Sequence, residues 1–494
     1  MTRQMIFDMG GTLYGAPICL LVDVGPGPQY NQGKEIVMKY DAIIIGAGQG
    51  GGPLAHKLAD LKWKVALIEQ EHLGGSCINY GCTPTKTMLA SARLAYYARR
   101  APEFGVHTGL IQVNLAEVVA RKNKLVLEWR QGQEGHTANR PTLDLYRGHG
   151  RFTGSHTVEV NGQVLTSEYI FINTGTRSRI PTILGLDQVD YLTNRTIMEL
   201  TEAPEHLLVL GGNYLGLEFG QMFRRFGSRV TVVELMEQLV PREDEDVAEA
   251  LQQALEAEGI RFHLGATASR VNPTATGLEM TITYQNDGRA ETLTGSHLLV
   301  SIGQIPNSDA LGLEAAGIET DKGGWIKVND RLETTAPGVW AIGDVKGGPA
   351  FTHISYDDHL VIYDNLINDK NRTIAGRLVP YALFTDPELG RVGLSEKEAR
   401  AAGYNLKVGK IPMSWVARAI ERDETAGLMK VVVNAADDRI LGAAILGSEG
   451  GELVQILMAL MMADAPYTLF EKSIFIHPTL AEGFFTLMDN VKPI

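Results

Sequence analysis

Cysteine is scarce in this sequence, which has 494 residues and three cysteines. Small secreted domains depend on several disulfides, so we expect a protein of a reducing cytoplasm rather than a disulfide-stapled secreted fold. Long apolar runs are also absent, since no stretch approaches the roughly 20 residues that span a bilayer. Basic charge is in deficit as well, because the formal net charge is -13. Nucleic acids and anionic membranes bind basic faces, so neither partner is predicted.

Length and composition indicate a globular chain of several domains. The hydrophobic fraction of 44% and the charged fraction of 21% are typical of soluble proteins. At 494 residues the chain exceeds what one core supports, which predicts three or four domains. Residues 1–37 differ from the rest, with a short apolar run and a Gly25-Pro26-Gly27-Pro28 loop but no signal-peptide pattern. We treat them as an N-terminal extension of unassigned order.

A glycine motif follows the first predicted strand. The apolar run at 40–45 leads directly into Gly46-Ala47-Gly48-Gln49-Gly50-Gly51, a complete G-x-G-x-x-G. In such a strand–turn–helix unit, Gly46 makes the turn, Gly48 lets the backbone approach a pyrophosphate and Gly51 permits close helix packing. Glu69 ends the next predicted strand, where a carboxylate can accept hydrogen bonds from ribose hydroxyls. The unit predicts a dinucleotide site.

The same unit returns at 207–234, where Gly211 and Gly216 occupy the first and third glycine positions. Asn213 replaces the middle glycine, and because Asn tolerates positive φ, the turn is predicted to survive. Glu234 would repel a 2′-phosphate and no arginine follows within three residues, which favours NAD(H) over NADP(H). Two units indicate one tightly held FAD and one exchangeable nicotinamide dinucleotide. A single functional site with a degenerate copy is the alternative.

Two of the cysteines, Cys77 and Cys82, lie five residues apart after the first nucleotide unit. The spacing does not match a zinc site and no second pair completes four ligands, so no metal site is predicted. Five residues of regular helix would rise about 7.5 Å, too far for a disulfide, so the pair must occupy a distorted turn. Thr83 as N-cap and Pro84 at the first helical position place Cys82 at a helix N-terminus, which stabilises a thiolate. Lys86 adds positive charge, so we predict a reactive dithiol, with two inert buried cysteines as the alternative.

These features resemble the class I pyridine nucleotide–disulfide oxidoreductases, the family of dihydrolipoamide dehydrogenase, glutathione reductase and mercuric reductase. The resemblance extends from about Met38 to the C-terminus, and the signatures of the family follow one another in order. They are Asn173-Thr174-Gly175-Thr176, Ser301-Ile302-Gly303-Gln304-Ile305-Pro306-Asn307, Ala341-Ile342-Gly343-Asp344, Phe384-Thr385-Asp386-Pro387-Glu388 and His477-Pro478-Thr479-Leu480-Ala481-Glu482.

The resemblance implies an α/β fold with two Rossmann-like dinucleotide-binding domains, for FAD and NAD, and a C-terminal α+β dimerisation domain. The implied FAD-binding domain covers 38–190 and the nicotinamide-binding domain 191–305. A central segment at 306–376 completes the FAD site, and the dimerisation domain covers 377–494.

The resemblance also implies roles for single residues. Asp344 would hold the ribityl chain of FAD, and Tyr214 would cover the flavin until the nicotinamide displaces it. Lys86 would pair with Glu218 beside the flavin. Of the two cysteines, Cys82 would face the flavin and Cys77 would attack the external substrate. Further cofactor contacts are implied for Gly75, Ser76, Thr174, Gly175, Gly303, Gly343 and Ala350.

His477 and Glu482 form a predicted catalytic pair. Thiol–disulfide exchange needs a proton acceptor, imidazole titrates near neutrality, and a carboxylate can fix its tautomer. In the family that the chain resembles, this histidine reaches the active site from the other subunit of a homodimer. The resemblance therefore implies a homodimer whose active site is shared between subunits.

Two further patterns are predicted to have no catalytic role. Glu243-Asp244-Glu245-Asp246 is interpreted as the acidic first turn of a solvated helix. Met458, Met461 and Met462 are interpreted as packing at a subunit interface.

The sequence thus predicts an FAD-containing enzyme that passes electrons between NAD(P)H and an external disulfide, dithiol or thiophilic substrate through Cys77 and Cys82. Whether that substrate is dihydrolipoamide-like or mercury-like is open. The segment from Gly348 to His353 resembles the mercuric reductase branch, but no cysteine follows Cys82 to receive Hg(II). The alternatives are a mercury(II) reductase without that C-terminal pair, a flavin NADH oxidase or transhydrogenase with unused cysteines, and a non-enzymatic flavin-binding protein.

Overall fold

Two parallel sheets of five strands each dominate the fold in the computed structural model, which describes residues 37–494. The prediction for residues 1–37 lies outside the described residues, Val37 excepted. Among helices within 37–494, none combines the length and the apolar character that crossing a membrane requires.

The first part of the described chain combines short strands with four helices. Its elements are β1 (Val37–Lys39), β2 (Ala42–Ile45), α1 (Gly51–Asp60), β3 (Val65–Glu69), α2 (Gly75–Asn79), α3 (Cys82–Arg100), α4 (Leu115–Ala138), β4 (Leu143–Arg147), β5 (Gly150–Gly154), β6 (Thr157–Val160), β7 (Gln163–Thr166), β8 (Ile170–Ile172), β9 (Thr176–Ser178) and β10 (Tyr191–Leu192).

The middle part repeats the strand–helix–strand arrangement and adds an antiparallel meander. Its elements are β11 (His206–Leu210), α5 (Tyr214–Phe226), β12 (Arg229–Val233), α6 (Glu245–Ala257), β13 (Arg261–His263), β14 (Ala266–Thr274), β15 (Gly277–Tyr284), β16 (Ala290–Gly295), β17 (His297–Val300) and β18 (Gln304–Pro306).

The last part returns one strand to the first sheet and then builds a separate antiparallel sheet. Its elements are β19 (Val339–Ala341), α7 (Thr352–Leu366), β20 (Tyr381–Leu383), β21 (Glu388–Gly393), α8 (Glu396–Ala401), β22 (Leu406–Pro412), α9 (Ala417–Glu421), β23 (Leu428–Asn434), β24 (Ile440–Gly447), α10 (Gly450–Met462), α11 (Gly483–Asp489) and β25 (Lys492–Pro493).

The first parallel sheet has the order β19-β8-β2-β3-β4, and the second has the order β10-β17-β11-β12-β13. Their central strands, β2 and β3 in one and β11 and β12 in the other, are almost wholly buried. Strands of parallel sheets are apolar throughout because helices cover both faces. Helices α1 and α5 begin just beyond the carboxyl ends of β2 and β11. The predicted α/β class with two Rossmann-like units is therefore confirmed.

The C-terminal sheet is antiparallel with the order β20-β21-β24-β23-β22-β25. Helices α10 and α11 pack against it and close an apolar core that includes Ile445, Leu457 and Phe484. This region is the predicted α+β dimerisation domain. The shorter sheets β1-β7-β6-β5, β14-β15-β16 and β9-β18 flank the two parallel sheets.

Candidate active site

The first glycine loop follows β2 and is shaped by one asparagine. Gly46 has a φ of +102°, and a Cβ at this position would collide with the carbonyl group of Asn173. The Asn173 side chain accepts a hydrogen bond of 2.8 Å from the Gly51 amide at the start of α1. Glu69 accepts a hydrogen bond of 2.9 Å from the Ala47 amide. The acid that ends β3 therefore also braces the loop.

The second glycine loop follows β11 with the same construction. Gly211 has a φ of +113°, and Glu234 at the end of β12 accepts hydrogen bonds from the amides of Gly212 at 2.6 Å and Met236 at 2.9 Å. The expectation that Asn213 adopts positive φ is wrong, since its φ is -112°. Asn213 instead caps α5, where its side chain accepts a hydrogen bond of 2.9 Å from the Tyr214 amide. Gly211 makes the turn alone, and an asparagine therefore fits the middle position.

One cavity of about 1460 Å³ joins both loops. Most of the predicted cofactor-binding and catalytic residues line it, namely Gly46, Gly48, Glu69, Gly75, Ser76, Cys77, Cys82, Lys86, Thr174, Gly175, Gly211, Tyr214, Glu218, Glu234, Gly303, Asp344 and Ala350. Sites for single drug-sized ligands measure about 300–1,000 Å³, so this cavity has room for more than one such ligand.

Three predicted cofactor-binding glycines lie behind the cavity wall instead. A Cβ on Gly51 would meet the carbonyl oxygen of Gly46, and one on Gly216 would meet that of Gly211. Both glycines permit close packing of the helix on its loop, as predicted for Gly51. The Gly343 amide donates a hydrogen bond of 2.8 Å to Asp358. Its neighbour Asp344 faces the cavity, and burial raises the pKa of Asp344 to about 6.

The cysteine pair lies in the break between two helices, which is the predicted distorted turn. Cys77 belongs to α2, whereas Cys82 is the first residue of α3. The expectation that Thr83 is the N-cap is wrong, because Gly81 occupies that position and the helix begins one residue before Thr83. Both thiols are free in this structure. Pro84 is the third helical residue rather than the predicted first, and Cys82 itself lies in the first turn, where the helix dipole favours a negative charge.

The two thiols differ in acidity. Cys82 is exposed to the cavity, and a hydrogen bond with Cys77, another with Thr352 and the charge of Lys86 lower its pKa to about 6. The Sγ of Cys82 lies 3.2 Å from the Oγ1 of Thr352. The hydrogen bond to Cys82 and burial raise the pKa of Cys77. The neighbours of the pair therefore favour the thiolate on Cys82 and the protonated thiol on Cys77.

Lys86 and Glu218 form the expected ion pair, with the Nζ of Lys86 at 2.8 Å and 3.0 Å from the two carboxylate oxygens. Glu218 is buried in α5 and also accepts a hydrogen bond of 3.0 Å from the Phe384 amide. The ammonium group of Lys86 lies 4.4 Å from the centre of the Phe384 ring. These contacts hold the ammonium group of Lys86 in place one helical turn after Cys82.

His477 and Glu482 are also paired, with the Nδ1 of His477 at 2.9 Å from a carboxylate oxygen of Glu482. Neither residue lines the cavity that contains the cysteines. The His477 side chain is 69% exposed, and the neighbouring Ile474 and Ile476 are 99% and 77% exposed. The structure thus separates this pair from the cysteines of its own chain and sets it on an apolar surface.

The interpretation of residues 243–246 as the acidic first turn of a solvated helix holds for Glu245, which is exposed in the first turn of α6, and is wrong for Glu243 and Asp244, which lie before the helix and are buried. Glu243 is fully buried, and its carboxylate accepts hydrogen bonds from Tyr381 at 2.6 Å and from Arg391 at 3.0 Å. Asp244 pairs with Lys430 at 3.1 Å. All three partners belong to the C-terminal sheet, and Arg391 lies 148 residues from Glu243. A local charge pattern contains no information about partners so distant.

The methionine stripe does not share one environment either. Met458 lines the large cavity, and Met461 packs against the core of the C-terminal sheet. Met462 is 72% exposed. Met458 and Met461 are half-buried and Met462 is the most exposed of the three, so packing of these residues at a subunit interface stays a prediction.

Sequence reasoning gave no role to two residues that shape the site. Asn173 joins the first glycine loop to the end of β19, because its amide nitrogen donates a hydrogen bond of 2.9 Å to the Ile342 carbonyl. Thr352 begins α7 and contacts the Cys82 sulfur. Both lie in segments that carry signatures of the family, but a signature does not show which atoms a side chain forms hydrogen bonds with.

The cavity fits two dinucleotides on chemical grounds. Each loop leaves backbone next to a helix N-terminus uncovered by side chains, which is the arrangement that binds a pyrophosphate. Each loop also carries a carboxylate, Glu69 or Glu234, at the end of the following strand, where ribose hydroxyls are bound. The reactive cysteines lie between the two loops in the same cavity.

Comparisons with known proteins agree with this geometry. Residues 40–358 match the family model of the pyridine nucleotide-disulphide oxidoreductases, and residues 379–488 match the model of their dimerisation domain. A dihydrolipoyl dehydrogenase from Thermus scotoductus is 36% identical over 90% of this chain and 95% of its own length. A mercuric reductase from Lysinibacillus sphaericus is 35% identical over 90% of this chain and 81% of its own length.

Solved structures give the same result. The HOCl-induced flavoprotein disulfide reductase RclA from Escherichia coli superposes with a TM-score of 0.83 at 34% identity, covering 92% of this chain and all of that one. A Cu(II) complex of the same reductase also matches with a TM-score of 0.83. The chain therefore belongs to the class I pyridine nucleotide-disulphide oxidoreductases, enzymes that use FAD and a pyridine nucleotide, and it carries their dimerisation domain.

Proposed function

We propose that this enzyme passes electrons from a nicotinamide dinucleotide through FAD and the Cys77–Cys82 pair to an external disulfide or a thiophilic metal ion, or in the reverse direction from a dithiol. The observation that carries the proposal is the position of Cys82. It is the first residue of α3, its pKa is lowered to about 6, and it opens onto the cavity that both glycine loops line.

The dithiol chemistry follows from the different acidities of the two thiols. Cys77 gives up its proton and attacks one sulfur of an external disulfide, and the other external sulfur leaves as a thiolate. The Cys82 thiolate then attacks the Cys77 sulfur, which releases the second external thiol and closes the Cys77–Cys82 disulfide. Two electrons have passed to the substrate, and each released sulfur takes up one proton.

The remaining cavity residues would bind the cofactors. FAD, when bound, supplies the two-electron exchange with the nicotinamide and with the cysteine pair. Lys86, held by Glu218, would place a positive charge beside the flavin, and the contacts of Lys86 with Phe384 support a fixed position. Gly46, Gly48 and Glu69 would hold the adenine half of FAD, and Asp344 its ribityl chain.

A base must remove the Cys77 proton, since the pKa of Cys77 is raised. We propose that His477 of the partner subunit is this base and that Glu482 orients its ring. The exposure of His477, the exposed apolar residues beside it and its distance from the cavity of its own chain support an active site shared in a homodimer.

NADH is the proposed nicotinamide substrate. Glu234 keeps a negative charge at the end of β12, bonded to the amides of Gly212 and Met236, where a 2′-phosphate would be repelled.

The domain boundaries predicted from the sequence are retained in this proposal, with 38–190 and 306–376 for FAD, 191–305 for NAD(H) and 377–494 for dimerisation. The low cysteine content supports a reducing cytoplasm as the compartment.

The substrate class is proposed as small disulfides or thiophilic metal ions. Relatives include a dihydrolipoyl dehydrogenase and mercuric reductases, and the matching RclA structure is a Cu(II) complex. No cysteine follows Cys82 in the sequence. A soft metal ion would therefore meet Cys77 and Cys82 directly, without a C-terminal cysteine relay.

Anaerobic titration of the purified holoenzyme with NADH tests the proposal. A long-wavelength charge-transfer band should appear when two electrons have been added, because the Cys82 thiolate would face the oxidised flavin. Cys82→Ser should abolish the band together with turnover of lipoamide, low-molecular-weight disulfides and metal ions. The matched control, Cys19→Ser, should keep both.

Two results would contradict the proposal. Direct bleaching of the flavin without the band would show that the cysteines take no part in electron transfer. The enzyme would then be a flavin NADH oxidase. Full disulfide turnover by the Cys82→Ser holoenzyme would have the same meaning.

A further inference from the structure

An aromatic contact joins the nicotinamide side of the cavity to the C-terminal sheet. Tyr214 is the first residue of α5, directly after the second glycine loop, and lines the cavity with Lys86 and Glu218. Its ring meets the ring of Tyr381 edge to face, with centroids 5.7 Å apart and planes at 69°. Tyr381 begins β20 at the edge of the C-terminal sheet. Tyr214, which is expected to move during catalysis, therefore packs against Tyr381 of the C-terminal sheet.

Tyr381 itself is held firmly. Its hydroxyl donates a hydrogen bond of 2.6 Å to the buried carboxylate of Glu243. The same carboxylate accepts a hydrogen bond of 3.0 Å from the Nε of Arg391. Charge-assisted hydrogen bonds in such a dry environment are strong. Phe351 stacks on the Tyr381 ring at 5.4 Å with planes only 9° apart. The Tyr381 ring is thus fixed by a hydrogen bond at one end and by an aromatic face at its side.

The two tyrosines differ in how they are anchored. Tyr214 lies at the start of a helix, packs against the neighbouring apolar core on one side and lines the cavity on the other. Tyr381 is anchored by Glu243 and Phe351. An edge-to-face aromatic pair is stabilising beyond its buried area. The contact therefore favours one resting orientation of Tyr214.

We propose that Tyr381 is a positioning residue, which sets the resting position of Tyr214 and so the ease with which the nicotinamide enters the cavity. The inference rests on the proposed function and on the role that the family resemblance implies for Tyr214, which would cover the flavin until the nicotinamide displaces it. The nicotinamide must overcome the Tyr214–Tyr381 contact before it reaches the flavin. Tyr381 also lines the cavity, and through its contact with Tyr214 the C-terminal sheet would therefore take part in nicotinamide binding.

Anaerobic stopped-flow reduction of the FAD holoenzyme by NADH tests this inference, since flavin bleaching does not require the cysteines. Its dependence on NADH concentration gives an apparent Kd and a limiting rate. Tyr381→Leu should lower the apparent Kd by about two- to tenfold, the range expected from one aromatic pair, and leave the limiting rate unchanged. Tyr381→Met should behave in the same way and provides a second variant if the first does not take up FAD.

Three controls separate positioning from a general structural role. Tyr381→Phe keeps the ring and should bring the apparent Kd back toward that of the unmodified enzyme. Tyr404→Phe, an exposed tyrosine of the same region, should change nothing. In a Tyr214→Leu background, Tyr381→Leu should have no further effect, because the contact is already lost.

The outcomes that would overturn the inference are distinct from failure of the proposed function. An unchanged apparent Kd in both the Leu and Met variants overturns it, as does an effect of Tyr381→Leu that persists without Tyr214. If NADH changes neither the flavin absorbance nor the charge-transfer absorbance of the unmodified enzyme, the proposed function and this inference are overturned together.

Discussion

At the scale of single residues, the active site depends on how neighbours divide charge between two thiols. Cys82 is acidic because Cys77, Thr352 and Lys86 stabilise its thiolate, and Cys77 is the less acidic partner for the same reason. The helix N-terminus alone would not distinguish them, since the two thiols lie close together. The hydroxyl of Thr352, on a helix 270 residues away in sequence, contributes to that difference.

The first prediction therefore concerns pH and Thr352. In the two-electron-reduced enzyme the charge-transfer band should fade as the pH falls through about 6, because protonation removes the Cys82 thiolate. Thr352→Val removes one hydrogen bond to the thiolate, which should raise the midpoint by about one to two pH units. Thr352→Ser keeps the hydroxyl and should titrate like the unmodified enzyme. Identical midpoints for the Val and Ser variants, followed by the absorbance of the charge-transfer band, would show that the hydroxyl does not act on Cys82.

At the scale of elements, the loop before α6 is fastened to the C-terminal sheet by buried charge. Glu243 bonds to Arg391 of β21, and the side chains of both are almost completely buried. Asp244 bonds to Lys430 of β23 and accepts hydrogen bonds from the backbone at the start of α8. The middle part of the chain and the C-terminal sheet are therefore joined by ion pairs.

Breaking the buried Glu243–Arg391 ion pair should lower the free energy of unfolding far more than breaking a surface ion pair. Arg391→Met leaves the Glu243 carboxylate buried without its cation, which is expected to cost about 3–5 kcal/mol. Arg400 of α8 is half-exposed and pairs with Glu396, which keeps its second partner Lys430 when Arg400 is removed, so Arg400→Met is a matched control that should cost at most about 1 kcal/mol. Urea unfolding of the holoenzymes, followed by flavin fluorescence and by circular dichroism, measures both.

The pH dependence of the same variant distinguishes buried charge from lost packing. Burial raises the pKa of Glu243, and without Arg391 the protonated carboxyl is the form that the folded state favours. The stability lost in Arg391→Met should therefore be partly recovered as the pH falls and should grow as the pH rises. An equal loss for Arg391→Met and Arg400→Met, independent of pH, would contradict the role given to the ion pair.

At the scale of the whole molecule, local patterns predicted the parts of the fold that repeat and missed those that join them. The two glycine loops and the acids after them follow from residues within one strand–turn–helix unit. The Lys86–Glu218 pair spans 132 residues and was predicted through resemblance to a family. The buried partners of Glu243 and the hydroxyl beside Cys82 depend on which elements meet in space. Neither periodicity nor charge pattern in one segment contains that information.

The last prediction concerns assembly. Ile474 and Ile476 flank His477 on an exposed apolar surface, and exposed residues of this kind mark contacts between proteins. If the chain forms the proposed homodimer, replacing both by Asp should give a monomer in size-exclusion chromatography with light scattering. Because His477 would then be absent from the partner's site, disulfide turnover should fall by about 100-fold or more, the usual contribution of a general base. NADH should still bleach the flavin, since the two glycine loops and the Lys86–Glu218 pair belong to one chain.

Leu61→Asp, at an exposed position after α1, should remain dimeric and active. A dimeric Ile474→Asp, Ile476→Asp variant, or a monomer with full disulfide turnover, would contradict an active site completed by the partner subunit.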